Sequence, residues 1–191
     1  MKIIYKGRYC GDPDSLPSRP HRPGAVKFRE MSDTKTFGLW ANIAAIIIMA
    51  ALAAPVFVVY GKSLLNTPLF LLACLSPLVI MFPHEMLHAI CFREEAYIYT
   101  NFQQGLLFVF GPEDMSRGKF VFMSLLPNIV FGFVPYIAGL TVPSAGWLGI
   151  AGALCVGCGA GDYYNVFNAL TQVPKGGQIY MYGFNSWWYM P

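Results

Sequence analysis

The sequence predicts an all-α membrane protein of about four transmembrane helices, with a small β-hairpin-like insertion after the second. Three observations carry that prediction. Only 12% of the 191 residues are charged while 55% are hydrophobic, and the mean hydropathy is +0.48. A soluble domain carries about 25% charged residues, so this chain lacks the side chains to coat a water-facing surface. The charges are also missing in blocks. No Asp, Glu, Lys or Arg stands between Lys35 and Lys62, between Lys62 and Glu85, or between Lys119 and Asp162. Finally, the run from Leu39 to Tyr60 has no polar face of the kind a helix packed in a water-soluble bundle needs. Disordered, collagen-like and disulfide-scaffold classes are excluded by the same composition, which holds five Cys and no repeat. The net charge of +3 gives no reason to expect a nucleic-acid partner.

A membrane-spanning helix needs roughly 20 apolar residues at about 1.5 Å of rise each. The first two charge-free gaps hold one such helix apiece, at 39–60 and 68–92. The third gap is about twice as long, and Val142-Pro143-Ser144-Ala145-Gly146 near its middle is a turn signal. It therefore divides into spans at 120–141 and 146–171. Residues 1–38 read as a basic tail, Pro-rich between 11 and 24, and too polar to be a secretory signal. Residues 39–171 form the membrane domain. Residues 172–191 form a tail whose Trp187-Trp188-Tyr189 suits the membrane interface. Eight Lys and Arg lie in the first tail, and Arg93, Arg117, Lys119 and Lys175 lie on the same side of the predicted spans. Lys62 alone lies opposite. This asymmetry predicts an integral, multi-pass protein in the lipid bilayer with both termini in the cytosol.

The connection from 93 to 119 is rich in β-formers. Ala96 to Phe102 and Leu106 to Phe110 flank Gln103-Gln104-Gly105, which predicts a hairpin. It would serve either as an exposed edge that binds an extended peptide by strand addition or as a lid over a cavity. Cys155 and Cys158 have a redox or metal spacing, but among Gly and Ala they read as a close-packing surface.

Near the end of the second predicted span stands His84-Glu85-Met86-Leu87-His88. On a helix, residues four apart share a face, so both imidazoles can grip one metal ion such as Zn²⁺. Glu85 sits beside that ion without ligating it and can take a proton from an activated water as general base. A Glu–His pair that merely joins helices is the competing reading. Ionisable groups inside a span are costly, which favours a functional one. Catalytic zinc commonly has three protein ligands. Asp162 is the candidate third, as the only charged residue between Lys119 and Lys175. His84 and Asp162 each lie 16 residues along their helices from the same face, at Pro68 and Gly146 respectively. Both are therefore about 24 Å deep at the standard rise. Asn128, after Pro127 on the third span, reaches the same level. Its amide would hold an oxyanion, orient a ligand, or link helices beside a proline kink. Asn165 would support the carboxylate, and Tyr163 and Tyr164 would line the helix interface. The run Gly157-Cys158-Gly159-Ala160-Gly161 would admit a close neighbour.

These residues resemble those of a known family. The intramembrane His84-Glu85-x-x-His88, the Pro127-Asn128 pair and the lone Asp162 after Gly161 are similar to the putative zincin peptidase family, small multi-span metallopeptidases related to the site-2 proteases. The resemblance covers the chain from about residue 39 to the C-terminus. It implies that His84, His88 and Asp162 bind zinc, that Glu85 is the catalytic base, and that the substrate is a membrane protein or peptide cut within or beside the bilayer. Asn128 joins Glu85 as a candidate catalytic residue through the oxyanion. A non-proteolytic membrane scaffold, or a metal or proton carrier using the same His/His/Asp site, is the alternative. The absence of internal repeats weighs against a carrier. Nothing in the sequence fixes an oligomeric state.

Overall fold

The computed structural model of the chain describes residues 1–31, 33–101 and 106–191. The predicted separator Gln103-Gln104-Gly105 lies outside the described residues. The all-α expectation is overturned: the fold is mixed α/β, 59% helix and 17% strand, with five helices and two sheets of three and four strands. The helices are α1 (Thr34–Tyr60), α2 (Pro68–Ala89), α3 (Arg117–Thr141), α4 (Gly146–Cys158) and α5 (Ala160–Gln172). The strands are β1 (Lys2–Arg8), β2 (Val26–Lys27), β3 (Glu95–Asn101), β4 (Leu106–Phe110), β5 (Met115–Ser116), β6 (Gln178–Tyr182) and β7 (Asn185–Tyr189). Among the described residues three helices, not four, are long and apolar enough to cross a membrane: α1, α2 and α3. The expected fourth span is broken at Gly159 into two helices of 13 residues each.

The error has a physical source. Both segments read as tails are strands whose partners lie far away in sequence. β1 pairs in parallel with β3, from Lys2 with Glu95 to Arg8 with Thr100. β2 pairs with β7 through Val26–Trp188 and Lys27–Trp187. Strands this short gain little from local propensity and depend on the cross-strand partner.

The chain divides into two compact units. The first comprises Met1–Glu30, Glu85–Ser124 and Tyr164–Pro191. Its three-stranded sheet has the order β1-β3-β4, with β4 antiparallel to β3. Its four-stranded sheet runs β2-β7-β6-β5. The β6–β7 hairpin turns on Gly183 and Phe184; Gly183 has φ +57°, the positive value a tight two-residue turn needs at its first position. Tyr9, Leu16, Tyr97, Tyr99 and Phe110 form one core on the first sheet. Phe28, Ala89, Phe92, Phe120, Met123, Val173 and Ile179 belong to a second. The N-terminal segment is tied down by a ring stack of His21 on Tyr182 at 4.0 Å and by the Arg22–Asp114 ion pair. Glu113 is buried. It accepts from the Arg93 and Glu94 N–H groups at 2.7 and 2.9 Å and pairs with Lys119 Nζ at 2.7 Å.

The second unit comprises Met31–His84 and Leu125–Tyr163. Asp33 caps α1, accepting from Lys35 N–H at 3.2 Å and Thr36 N–H at 2.9 Å. Val56, Leu64, Ala73, Ile150 and Ala151 form the core. Much of the apolar surface remains outward: Val58 is 85% exposed and Val79 73%. Glycines let α3 and α4 touch backbone to backbone. A Cβ on Gly139 would lie 2.0 Å from Gly149 N, and one on Gly152 would lie 2.4 Å from Tyr136 N.

Pro77 interrupts the bonding of α2 locally. A proline has no N–H to return to the carbonyl four residues back. Pro77 leaves the Ala73 carbonyl, which the Ser76 hydroxyl fills at 2.7 Å. In the last turn of α3 the Tyr60 hydroxyl donates to the Gly139 carbonyl at 2.7 Å.

Candidate metal centre

α2 carries the motif on its last full turns before it ends at Ala89. Helical spacing sets His84 and His88 on one face. Nitrogens from the two imidazoles and a Glu85 oxygen all lie within 4.8 Å of one another, and all three residues are half-buried. Among the described residues this is the group of three that could hold a metal ion.

Each member is held by a particular partner. His88 Nδ1 lies 2.9 Å from the Met123 carbonyl oxygen. A carbonyl only accepts, so Nδ1 carries the hydrogen and Nε2 keeps its lone pair for a metal. His84 Nε2 lies 3.2 Å from Asp162 Oδ2, which brings the distant carboxylate to the motif through His84. Glu85 Oε2 accepts from the Val109 N–H at 3.1 Å, so the candidate base sits on the backbone of β4. Asn128 donates from Nδ2 to Asp162 Oδ2 at 2.8 Å. The Tyr163 hydroxyl lies 3.2 Å from Asn128 Oδ1 and 2.9 Å from the Val156 carbonyl oxygen.

The donor set suits zinc. Two imidazoles one turn apart are ligand types that zinc takes, together with carboxylates, and Asp162 offers a carboxylate oxygen 3.2 Å from His84 Nε2. Burying a carboxylate among apolar helices is costly unless it is bonded or charge-compensated. Asp162 meets that demand through His84 and Asn128.

Of the residues marked in the sequence, His84, Glu85 and His88 come together on one turn, Asp162 joins at His84, and Asn128 stands on Asp162. Asn165 is exposed. Three partners were not marked for these roles. The Met123 carbonyl and the Val109 N–H are backbone groups, which residue identity does not reveal. Tyr163 was assigned to the helix interface, yet its position one residue after Asp162 was a usable signal.

Two imidazoles one turn apart with a glutamate between them define a zincin-type metal helix. The chain belongs to the putative zincin peptidase family, whose model matches residues 77–177. That segment holds His84, Glu85, His88, Asn128, Asp162 and Tyr163. Membership makes the protein one of a metallopeptidase family with zinc as the implied metal. No curated protein and no solved structure matches the chain.

Proposed function

We propose that the protein is an intramembrane zinc metallopeptidase of the site-2-protease type, which hydrolyses peptide bonds in or next to the bilayer. The observation that carries this reading is the single turn of α2 bearing His84, Glu85 and His88, with Asp162 on His84, in a helix long enough to span a membrane. His84, His88 and Asp162 would hold zinc. When bound, zinc would supply Lewis acidity, polarising the scissile carbonyl and making a water acidic. Glu85 takes that water's proton on its carboxylate and delivers it to the leaving amine. The Val109 N–H keeps the carboxylate aimed until then.

The substrate is a membrane protein or peptide whose segment has unwound, because a helical backbone hides its scissile carbonyl. β4 is an edge strand beside Glu85, suited to binding an extended peptide by main-chain hydrogen bonds. The exposed apolar faces of α1 and α2 contact lipid. The Lys and Arg asymmetry puts both termini in the cytosol, and the motif near the cytosolic end of its helix.

The test is incubation of detergent-purified protein with membrane-segment peptides, with and without a chelator. Fragments that disappear on chelation and return with zinc are expected. Zinc-dependent ion uptake by proteoliposomes, without fragments from any peptide, would favour the carrier instead.

A further inference from the structure

We infer that Pro127, Asn128 and Tyr163 are positioning residues that aim two of the candidate zinc ligands, and this inference rests on the zinc reading above. Pro127 lies in α3 and, like Pro77 in α2, has no N–H for the carbonyl four residues back, here that of Met123. At Pro77 the Ser76 hydroxyl fills the gap. At Met123 the group that fills it is the ring of His88, at 2.9 Å. The missing N–H therefore fixes the His88 tautomer: Nδ1–H donates to Met123 and Nε2 is left as the ligand atom. His84 Nε2 faces the Asp162 carboxylate at 3.2 Å.

The next residue controls the carboxylate. Asn128 is 1% exposed. An amide can present oxygen or nitrogen to a neighbour, and its surroundings decide which. The Tyr163 hydroxyl lies between two acceptors, Asn128 Oδ1 and the Val156 carbonyl, and donates its one hydrogen between them. This donor holds Oδ1 on the Tyr163 side and turns Nδ2 towards Asp162 Oδ2, at 2.8 Å. The backbone makes room for the arrangement. α3 opens into a π turn over Asn128–Phe133. The α4–α5 break falls on Gly159, where a Cβ would stand 1.7 Å from Asn128 Oδ1. The adjacent pair Pro127-Asn128 thus orients His88 through a freed carbonyl and Asp162 through an amide.

The experiment measures zinc affinity by chelator competition on the full-length protein in detergent, for wild type, Pro127→Ala and Tyr163→Phe. It adds the visible spectrum of the cobalt-loaded protein and the melting temperature of the metal-free protein. Pro127→Ala restores an N–H that competes with His88 for Met123, and Tyr163→Phe frees the Asn128 amide to turn. Each is expected to weaken zinc binding about 10-fold or more and to change the cobalt spectrum. The metal-free melting temperature should hold for Tyr163→Phe and hold or rise for Pro127→Ala, since a proline inside a helix is unfavourable. Wild-type affinity and spectrum in both variants would overturn the inference. So would losses of affinity that merely track losses of metal-free stability. A wild-type protein that binds no zinc would overturn this inference and the proposed function together. Tight wild-type binding with unchanged variants would overturn this inference alone.

Discussion

The two compact units use charge in opposite ways. The unit built from Met31–His84 and Leu125–Tyr163 holds four Asp, Glu, Lys or Arg residues: Asp33, Lys35, Lys62 and Asp162. Asp33 caps a helix, while Asp162 is mostly buried and bonded to His84 and Asn128. The other unit carries the remaining charges and pairs several of them, as in Arg19–Glu94, Arg22–Asp114 and Glu113–Lys119. Where charge is scarce, an ionised group in an apolar setting is expensive and its retention points to a site. Where charge is plentiful, most pairs trim the surface and contribute little. Apart from Glu85 and His88, which belong to the sheet-bearing unit, substitutions of charged residues should differ in kind: loss of metal at Asp162, shifts of stability at the ion pairs.

The sharpest break comes from His84→Ala. It should lower bound zinc from about one ion per chain to near zero and abolish chelator-sensitive cleavage, as read by elemental analysis and peptide fragmentation together. Next is Asp162→Asn, which keeps the shape of the side chain but removes its charge. Zinc affinity should fall by more than about 100-fold, since losing a ligand exceeds the effect of losing an outer partner. A variant that retains zinc as tightly as wild type would remove Asp162 from the ligand set.

In the sheet-bearing unit the largest effect is expected at Glu113. Burial pushes its carboxyl up, but the Lys119 ammonium and the Glu94 and Arg93 N–H groups outweigh burial and hold it below the usual glutamate range. A depressed folded-state value means the stabilisation is present above the unfolded value. It is lost as pH falls towards the folded value. Glu113→Gln should therefore cost about 2 kcal/mol near neutral pH and progressively less in acid, measured by denaturant unfolding in detergent. Glu30 behaves oppositely. Burial raises its carboxyl despite the Ser186 N–H, so its contribution is greatest in acid and fades as pH rises. The smallest effect belongs to Arg19→Ala. Its pair with the exposed Glu94 is solvent-screened, and less than about 1 kcal/mol should be lost. A large loss there would undo the contrast between the units.

The legible parts of the sequence share a physical trait. His84, Glu85 and His88 are one helical turn apart, so a local rule places them. Asp162 was singled out as the lone charge in its apolar run; the depth count from Gly146 assumed a continuous helix that breaks at Gly159, while the structure puts Asn128 Nδ2 2.8 Å from Asp162 Oδ2. β3 and β4 were legible as a pair of β-rich runs, and they pair antiparallel; β1, β2, β6 and β7 were not, because they also depend on partners that local pattern does not reveal. The β6–β7 hairpin did leave a signal, a Gly-Phe pair between alternating runs, but Trp187-Trp188-Tyr189 read equally well as a membrane anchor. The broken fourth span escaped because Gly159 counts as one more small residue in an apolar run. The Asn128 side chain packs against that glycine, where a Cβ would stand 1.7 Å from Oδ1.

The central claim is that one turn of α2 both holds the metal and supplies the base. Glu85→Gln tests it most directly, because a glutamine keeps an oxygen for the Val109 N–H and leaves the imidazoles in place. Zinc content and peptide fragments should be measured on the same purified sample. The account predicts wild-type zinc with cleavage reduced by about 10²- to 10⁴-fold. Full cleavage by that variant would contradict it.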